Sequence, residues 1–124
     1  MRVRDLAAGA HLEERFRALE SGDPEVEVSV TGGMHRPPFA VGAGGHDLFA
    51  KAAAVAARIG LTLESAGLSG GGSDGNFSAA LGIATLDGLG VDGDGAHTNH
   101  EHLLFSSIEP GTRLMQGLFA TLEA

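Results

Sequence analysis

The stretch "SGGGSDGNFSAALG", residues 69–82, sets glycines around a serine and an aspartate. Within it Gly71-Gly72-Ser73-Asp74-Gly75 fits G-x-S-x-G, the elbow on which some hydrolases mount a nucleophilic serine. Asp92 or Asp94 and then His97 or His100 follow in the order Ser, Asp, His. The pattern is short, and a chain with 20 glycines meets it easily. Such an elbow also needs a wide sheet and an oxyanion donor from an earlier loop, and nothing before Ser73 supplies either. The same residues suit a second chemistry. Glycines let backbone approach a ligand closely, and amides opening a helix favour an anion. No Lys-Ser/Thr follows the glycines, so the run is not a P-loop. A tight strand-to-helix turn accounts for the run as well.

"GAHTNHEH", residues 95–102, holds three of the six histidines together with Glu101. Neutral imidazole suits zinc. The segment is not H-E-x-x-H, because after His100-Glu101 the second histidine would fall at Leu104. Exposed loop histidines explain the cluster as readily. One histidine after a strand and a glycine loop remains a candidate single ligand, since α/β sites gather at the carboxyl ends of strands. Arg36, in "MHRPPF", could clamp a carboxylate or be an ordinary surface arginine. His11 reads as a solvated helix residue and His46 as a helix-opening one.

The totals bound the classes. At 124 residues there is room for one ordinary domain or for pieces of two larger ones. A 43% hydrophobic content can build a core. There is no cysteine, which excludes disulfides and thiolate metal sites and fits a cytoplasmic setting. Sixteen acidic against eight basic residues, a net charge of −8, make nucleic acid a poor partner. No apolar run approaches the roughly 18 residues of a membrane span, and "MRVRDL" lacks the apolar stretch of a signal peptide.

Elements must position these residues. "MRVRDL" reads as a weak strand, and "AAGAHLEERFRALES" as a helix with Leu12, Phe16 and Leu19 on one face. "EVEVSV" alternates Val26, Val28 and Val30 with Glu25, Glu27 and Ser29, as a half-exposed strand does. Residues 1–31 thus read as β-α-β. From Gly32 the chain turns rich in glycine and proline, a crossing between domains. "HDLFAKAAAVAARIG" predicts a helix burying Leu48, Phe49, Ala52, Val55, Ala56 and Ile59, with Gly60 as its cap. "LTLESAGL" and "IATLDGLG" read as strands and "NFSAALG" as a short helix. The last helix starts at a capping box, Ser106 to Glu109, and turns Leu114, Met115, Leu118, Phe119 and Leu122 inward. The fold class is α/β, with fewer strands than the five or six of a typical sheet.

In order and spacing, "VTGGMHRPPF", "SGGGSDGNFSAALGIATLDGLG" and "GAHTNHEHLLFSSI" resemble the C-terminal part of the M20 zinc metallopeptidases. The similar branch is that of glutamate carboxypeptidase, acetylornithine deacetylase and succinyl-diaminopimelate desuccinylase. The resemblance implies a catalytic α/β domain holding two zinc ions, with an inserted α+β lid domain that often mediates dimerisation. It makes residues 1–31 the last β-α-β of the lid, 32–36 the crossing, and 37–124 the closing segment of the catalytic domain. It makes His97 a zinc ligand, and His100 and His102 not. Gly71, Gly72, Ser73 and Asp74 would line the substrate pocket, with Arg2 and Arg36 meeting the substrate carboxylate. The other zinc ligands and the general-base glutamate of the family are expected upstream, so no catalytic residue is assigned here. The implied chemistry is attack of a zinc-bridged water on a peptide or N-acyl amino acid bond. The expectation is a fragment or truncated homologue, inactive alone and oligomerising through the lid segment. A non-catalytic binding module and a serine hydrolase using Ser73 are the alternatives.

Overall fold

A computed structural model describes residues 1–67 and 70–122. It is a mixed α/β arrangement of four α-helices and one small antiparallel hairpin among the described residues. α1 spans Leu6–Arg17, α2 Ala43–Arg58, α3 Gly75–Ala80 and α4 Ile108–Thr121. β1 (Gly93–Asp94) pairs with β2 (His102–Leu103), Gly93 opposite Leu103 and Asp94 opposite His102. A 3-10 turn at Phe105–Ser107 leads into α4.

The core is the α2–α4 contact. Ala52, Val55 and Ala56 of α2 meet Leu114 and Leu118 of α4, all nearly sealed from solvent. The alanines keep α2 slim, so α4 can approach closely. Gly117 sits at that contact: a Cβ there would lie 2.5 Å from Val55 Cγ1. Leu61, Leu63, Leu86 and Leu89 pack on the same cluster from segments that cross it. α2 ends as its sequence predicts. Gly60 has φ +77, its N–H donates to the Ala57 carbonyl (3.2 Å), and Leu61 N–H donates to that of Ala56 (2.9 Å). Those paired bonds satisfy the last carbonyls in the left-handed glycine cap.

α1 is capped by the Asp5 carboxylate, which accepts from Ala8 N–H at 2.7 Å. The crossing segment is fastened to it. Met34 N–H donates to Glu13 Oε1 at 2.5 Å, and the Met34 side chain lies against buried Gly9. No described helix or strand packs on α1.

Several expectations are corrected. Residues 25–30, 61–67 and 83–90 carry no strand pairing among the described residues. A strand is held by a neighbour's ladder, and alternation alone supplies none. The expected strand through Leu68 runs outside the described residues, as does Ser69. "MRVRDL" forms no strand; Asp5 and Leu6 open α1 instead. Phe16 and Leu19 are exposed, because no described element covers that face. Phe119 is 69% exposed, on the side of α4 away from α2. The capping box is absent. Ser107 holds the N-cap position without capping, because its hydroxyl donates to the Leu104 carbonyl and accepts from Asp92 N–H. No described helix is long and apolar enough to cross a membrane.

Candidate functional site

The glycine run meets α3 at a turn built from side chains. Ser73 Oγ accepts from Gly75 N–H at 3.1 Å, and Ser73 N–H donates to Asn76 Oδ1 at 3.0 Å. Asn76 Nδ2 donates in turn to the Pro37 carbonyl at 2.7 Å. Asn76 is the one buried polar residue among those described, and its amide is engaged at both ends. It ties the glycine run to Pro37, the residue after Arg36, and so holds Arg36 beside the run. A Cβ on Gly75 would come within 3.2 Å of Phe39 and of Thr85. That crowding holds α3 against the 39 and 85 segments and favours glycine there.

Both arginines singled out in the sequence come to this run. Arg2 Nη1 lies 2.6 Å from where a Cβ on Gly70 would sit, and Arg36 Cδ 3.2 Å from one on Gly72. The missing side chains are what admit them. Arg36 Nη1 donates to Asp74 Oδ1 at 3.0 Å, and its guanidinium carbon stands 4.9 Å from the centre of the Phe77 ring. An arginine over an aromatic face is held by the ring's negative potential as well as by packing. Arg2, Arg36, Gly72 and Asp74 are therefore brought together along one run, with exposed Gly71 between them in the chain. The cluster sets two guanidinium groups beside exposed glycines, a setting that suits an anion.

Ser73 has a structural partner. Its hydroxyl oxygen serves the turn, and no described hydrogen bond joins it to an imidazole. The elbow's base is therefore not in place among the described residues.

His97 sits on the loop joining β1 to β2. Among the described residues it is the non-glycine one with positive φ, +67. Its N–H donates to Glu101 Oε2 at 3.1 Å. Thr98 closes the same loop, its N–H and Oγ1 both donating to the Gly95 carbonyl, at 3.0 and 2.6 Å. Gly95 has φ +73, and a Cβ there would crowd the His100 ring and carbonyl at about 3.0 Å. Both Nδ1 atoms of the neighbouring histidines are engaged locally, His100 with Asn99 Oδ1 (3.2 Å) and His102 with the His100 carbonyl (3.1 Å). The His97 ring is exposed at the tip of this self-closed loop.

Among the described residues no group of three or more His, Cys, Asp or Glu side chains could hold a metal ion. A zinc ion takes about four ligands, so His97 by itself does not make a zinc site. A cavity of about 270 Å³ lies at the start of α2, between Val41, Gly44, Ala79 and Ile83, and is lined by none of Arg2, Arg36, Gly71, Gly72, Ser73, Asp74 and His97.

Sequence reasoning missed Asn76 and Phe77, and named Glu101 in the histidine cluster without giving it a role. Asn76 had a signal, an amide directly behind the glycine run where a turn needs partners. Glu101 had a weaker one, a carboxylate four residues past His97.

Peptidase family M20/M25/M40 matches residues 3–121. Carboxypeptidase G2 of Pseudomonas sp. (strain RS-16) is 38% identical over 93 residues, which is 75% of this chain and 22% of that protein. The chain thus spans about a fifth of the length of the curated relative it matches. No solved structure matches.

Proposed function

The chain belongs to peptidase family M20/M25/M40, and from that membership we propose that it supplies the closing part of a zinc-dependent amidohydrolase or carboxypeptidase. The substrates would be peptides or N-acyl amino acids. Residues 1–31 belong to the lid, 32–36 cross over, and 37–124 return to the catalytic domain. In the cytoplasm, the complete enzyme pairs through the lid. The similarity to a carboxypeptidase supports this reading.

The observation that carries it is the convergence of Arg2 and Arg36 on one glycine run. Two guanidinium groups beside accessible backbone fit the carboxylate that such substrates present. Arg2, Arg36, Gly71, Gly72, Ser73 and Asp74 then form the binding wall. Ser73 shapes the wall through its turn. His97 contributes one imidazole to a metal site whose other ligands lie elsewhere. The backbone strain at His97 fits a functional post, because a left-handed histidine persists where its surroundings hold it there. When bound, zinc would polarise a carbonyl and activate water. The described residues of this chain do not hold it unaided.

The chain alone is therefore expected to lack turnover. Incubation with zinc and N-acyl amino acids should release no amine above the uncatalysed rate. Robust release that a chelator abolishes would overturn this. A second reading, a non-catalytic assembly module, draws on the unpaired, exposed Val26, Val28 and Val30. It predicts self-association with no Arg36-dependent carboxylate binding.

A further inference from the structure

Asp74 precedes α3 at the N-cap position but does not cap it. Its backbone is helical (φ −66, ψ −22) and its side chain makes no bond to the helix amides. An aspartate there ordinarily accepts from the second or third amide of the helix. Here the second and third amides, those of Asn76 and Phe77, donate to the Ser73 and Asp74 carbonyls at 3.1 and 3.0 Å, and the Asp74 carboxylate turns to Arg36 Nη1.

The partners of that ion pair are unequal. The Arg36 side chain is 32% exposed, stacked over Phe77 and resting against Gly72. The Asp74 side chain is 96% exposed. The arginine is fixed by its surroundings and the carboxylate is the part free to leave. We propose that Asp74 is an internal occupant of the Arg36 anion site: its carboxylate holds a guanidinium edge that a ligand carboxylate would take. Binding then requires Asp74 to swing into water, where it is already almost fully hydrated. The inference rests on the reading of Arg36 as a carboxylate-binding residue.

The arrangement has a consequence for affinity. An exposed ion pair is weak, so Asp74 raises a threshold and does not block the site. An anionic ligand replaces the lost charge interaction, and a two-pronged carboxylate improves on it. A neutral ligand replaces nothing. That preference belongs to the guanidinium itself: the Asp74 pair is lost whichever ligand takes the edge, so Asp74 weakens carboxylate and amide by the same factor.

The test uses the full chain labelled with ¹⁵N, with N-acetylglycine and its amide as probes and the Arg36 Nε–H resonance as readout. Asp74→Asn should bind N-acetylglycine about two- to fivefold more tightly than the natural chain, the size of an exposed ion pair. The preference for N-acetylglycine over its amide should stay the same, because either ligand displaces the same Asp74 pair. Asp87→Asn removes one charge at an exposed residue with no described contact to Arg36, and should leave affinity unchanged. Arg36→Ala, read by the Gly72 amide, should abolish binding. Unchanged or weaker binding by Asp74→Asn, with Arg36→Ala still inactive, overturns the inference and leaves the arginine reading standing. Equal tightening in Asp87→Asn reduces the effect to net charge and overturns it too. If the natural chain and Arg36→Ala respond alike, the reading of Arg36 fails and the inference falls with it.

Discussion

The backbone N–H of His97 donates to the Glu101 carboxylate at 3.1 Å across the loop between β1 and β2. That bond spans a backbone that is otherwise unfavourable, since His97 has φ +67. A left-handed conformation costs an L-residue roughly 1–2 kcal/mol, so the loop must hold it. Glu101 supplies part of that hold. In Glu101→Ala the His97 amide should exchange with deuterium roughly fivefold faster, the worth of an exposed charge-assisted bond. Glu101→Gln should exchange at close to the natural rate, because its amide oxygen still accepts. Unchanged protection in the alanine variant would mean that Thr98 and Gly95 alone shape the loop.

The same strain predicts a gain on removing the imidazole. His97→Gly relieves the left-handed penalty but adds freedom to the unfolded chain, leaving a net stabilisation of about 0.5 kcal/mol. Thermal unfolding followed by circular dichroism measures it. A clear fall in Tm would show that the ring contributes packing its exposure does not suggest. A rise would mark His97 as a residue that lowers stability, the pattern expected of a functional side chain.

Gly117 and Val55 set the spacing of α2 and α4. Alanine is the better helix former by about 1 kcal/mol, so in open surroundings Gly117→Ala would stabilise. Here the new methyl would lie 2.5 Å from Val55 Cγ1, and Val55 is a short, buried side chain with little room to move. Overpacking of this kind costs about 1–3 kcal/mol. Gly117→Ala should therefore lower the midpoint of urea unfolding, and Val55→Ala in the same chain should recover part of the loss. Additive losses in the double variant would place the damage elsewhere.

The helices were the legible part of the fold. α2 announced Ala52, Val55 and Ala56 by a strong period, and Gly60 by its place after the last apolar residue. Half of α4 was legible for the same reason. Leu114 and Leu118 are buried, while Phe119 faces away because the contact with α2 is narrow. Strands were not legible in this way. Val26, Val28 and Val30 alternate cleanly, yet pairing is a relation between segments and no described segment forms a ladder with them. The β1–β2 hairpin escaped notice because each arm has two residues and no apolar alternation. At the site, Arg36, Gly72 and Asp74 were named from sequence and lie together. What tied them, the Asn76 amide and the Phe77 ring, was hidden because their partners are distant in the chain.

The unpaired valines lead to the last prediction. Val26, Val28 and Val30 are 54%, 42% and 39% exposed, on a segment with no ladder partner among the described residues. Open strand-forming backbone with an apolar face invites pairing with another chain. Sedimentation velocity of the full chain should show association that grows with concentration. Val28→Lys places a charge at the middle of the face and should shift the distribution toward monomer, as charged edge residues do in natural sheets. Because Val28 contributes nothing to the buried core, the Tm of the monomer should change by no more than surface substitutions usually produce, about 0.5 kcal/mol in stability. A natural chain that stays monomeric at high concentration would show that the alternating segment is quiet in solution. Association that persists in Val28→Lys would move the contact to another exposed face, with Phe16 and Leu19 of the α1 region the next to substitute.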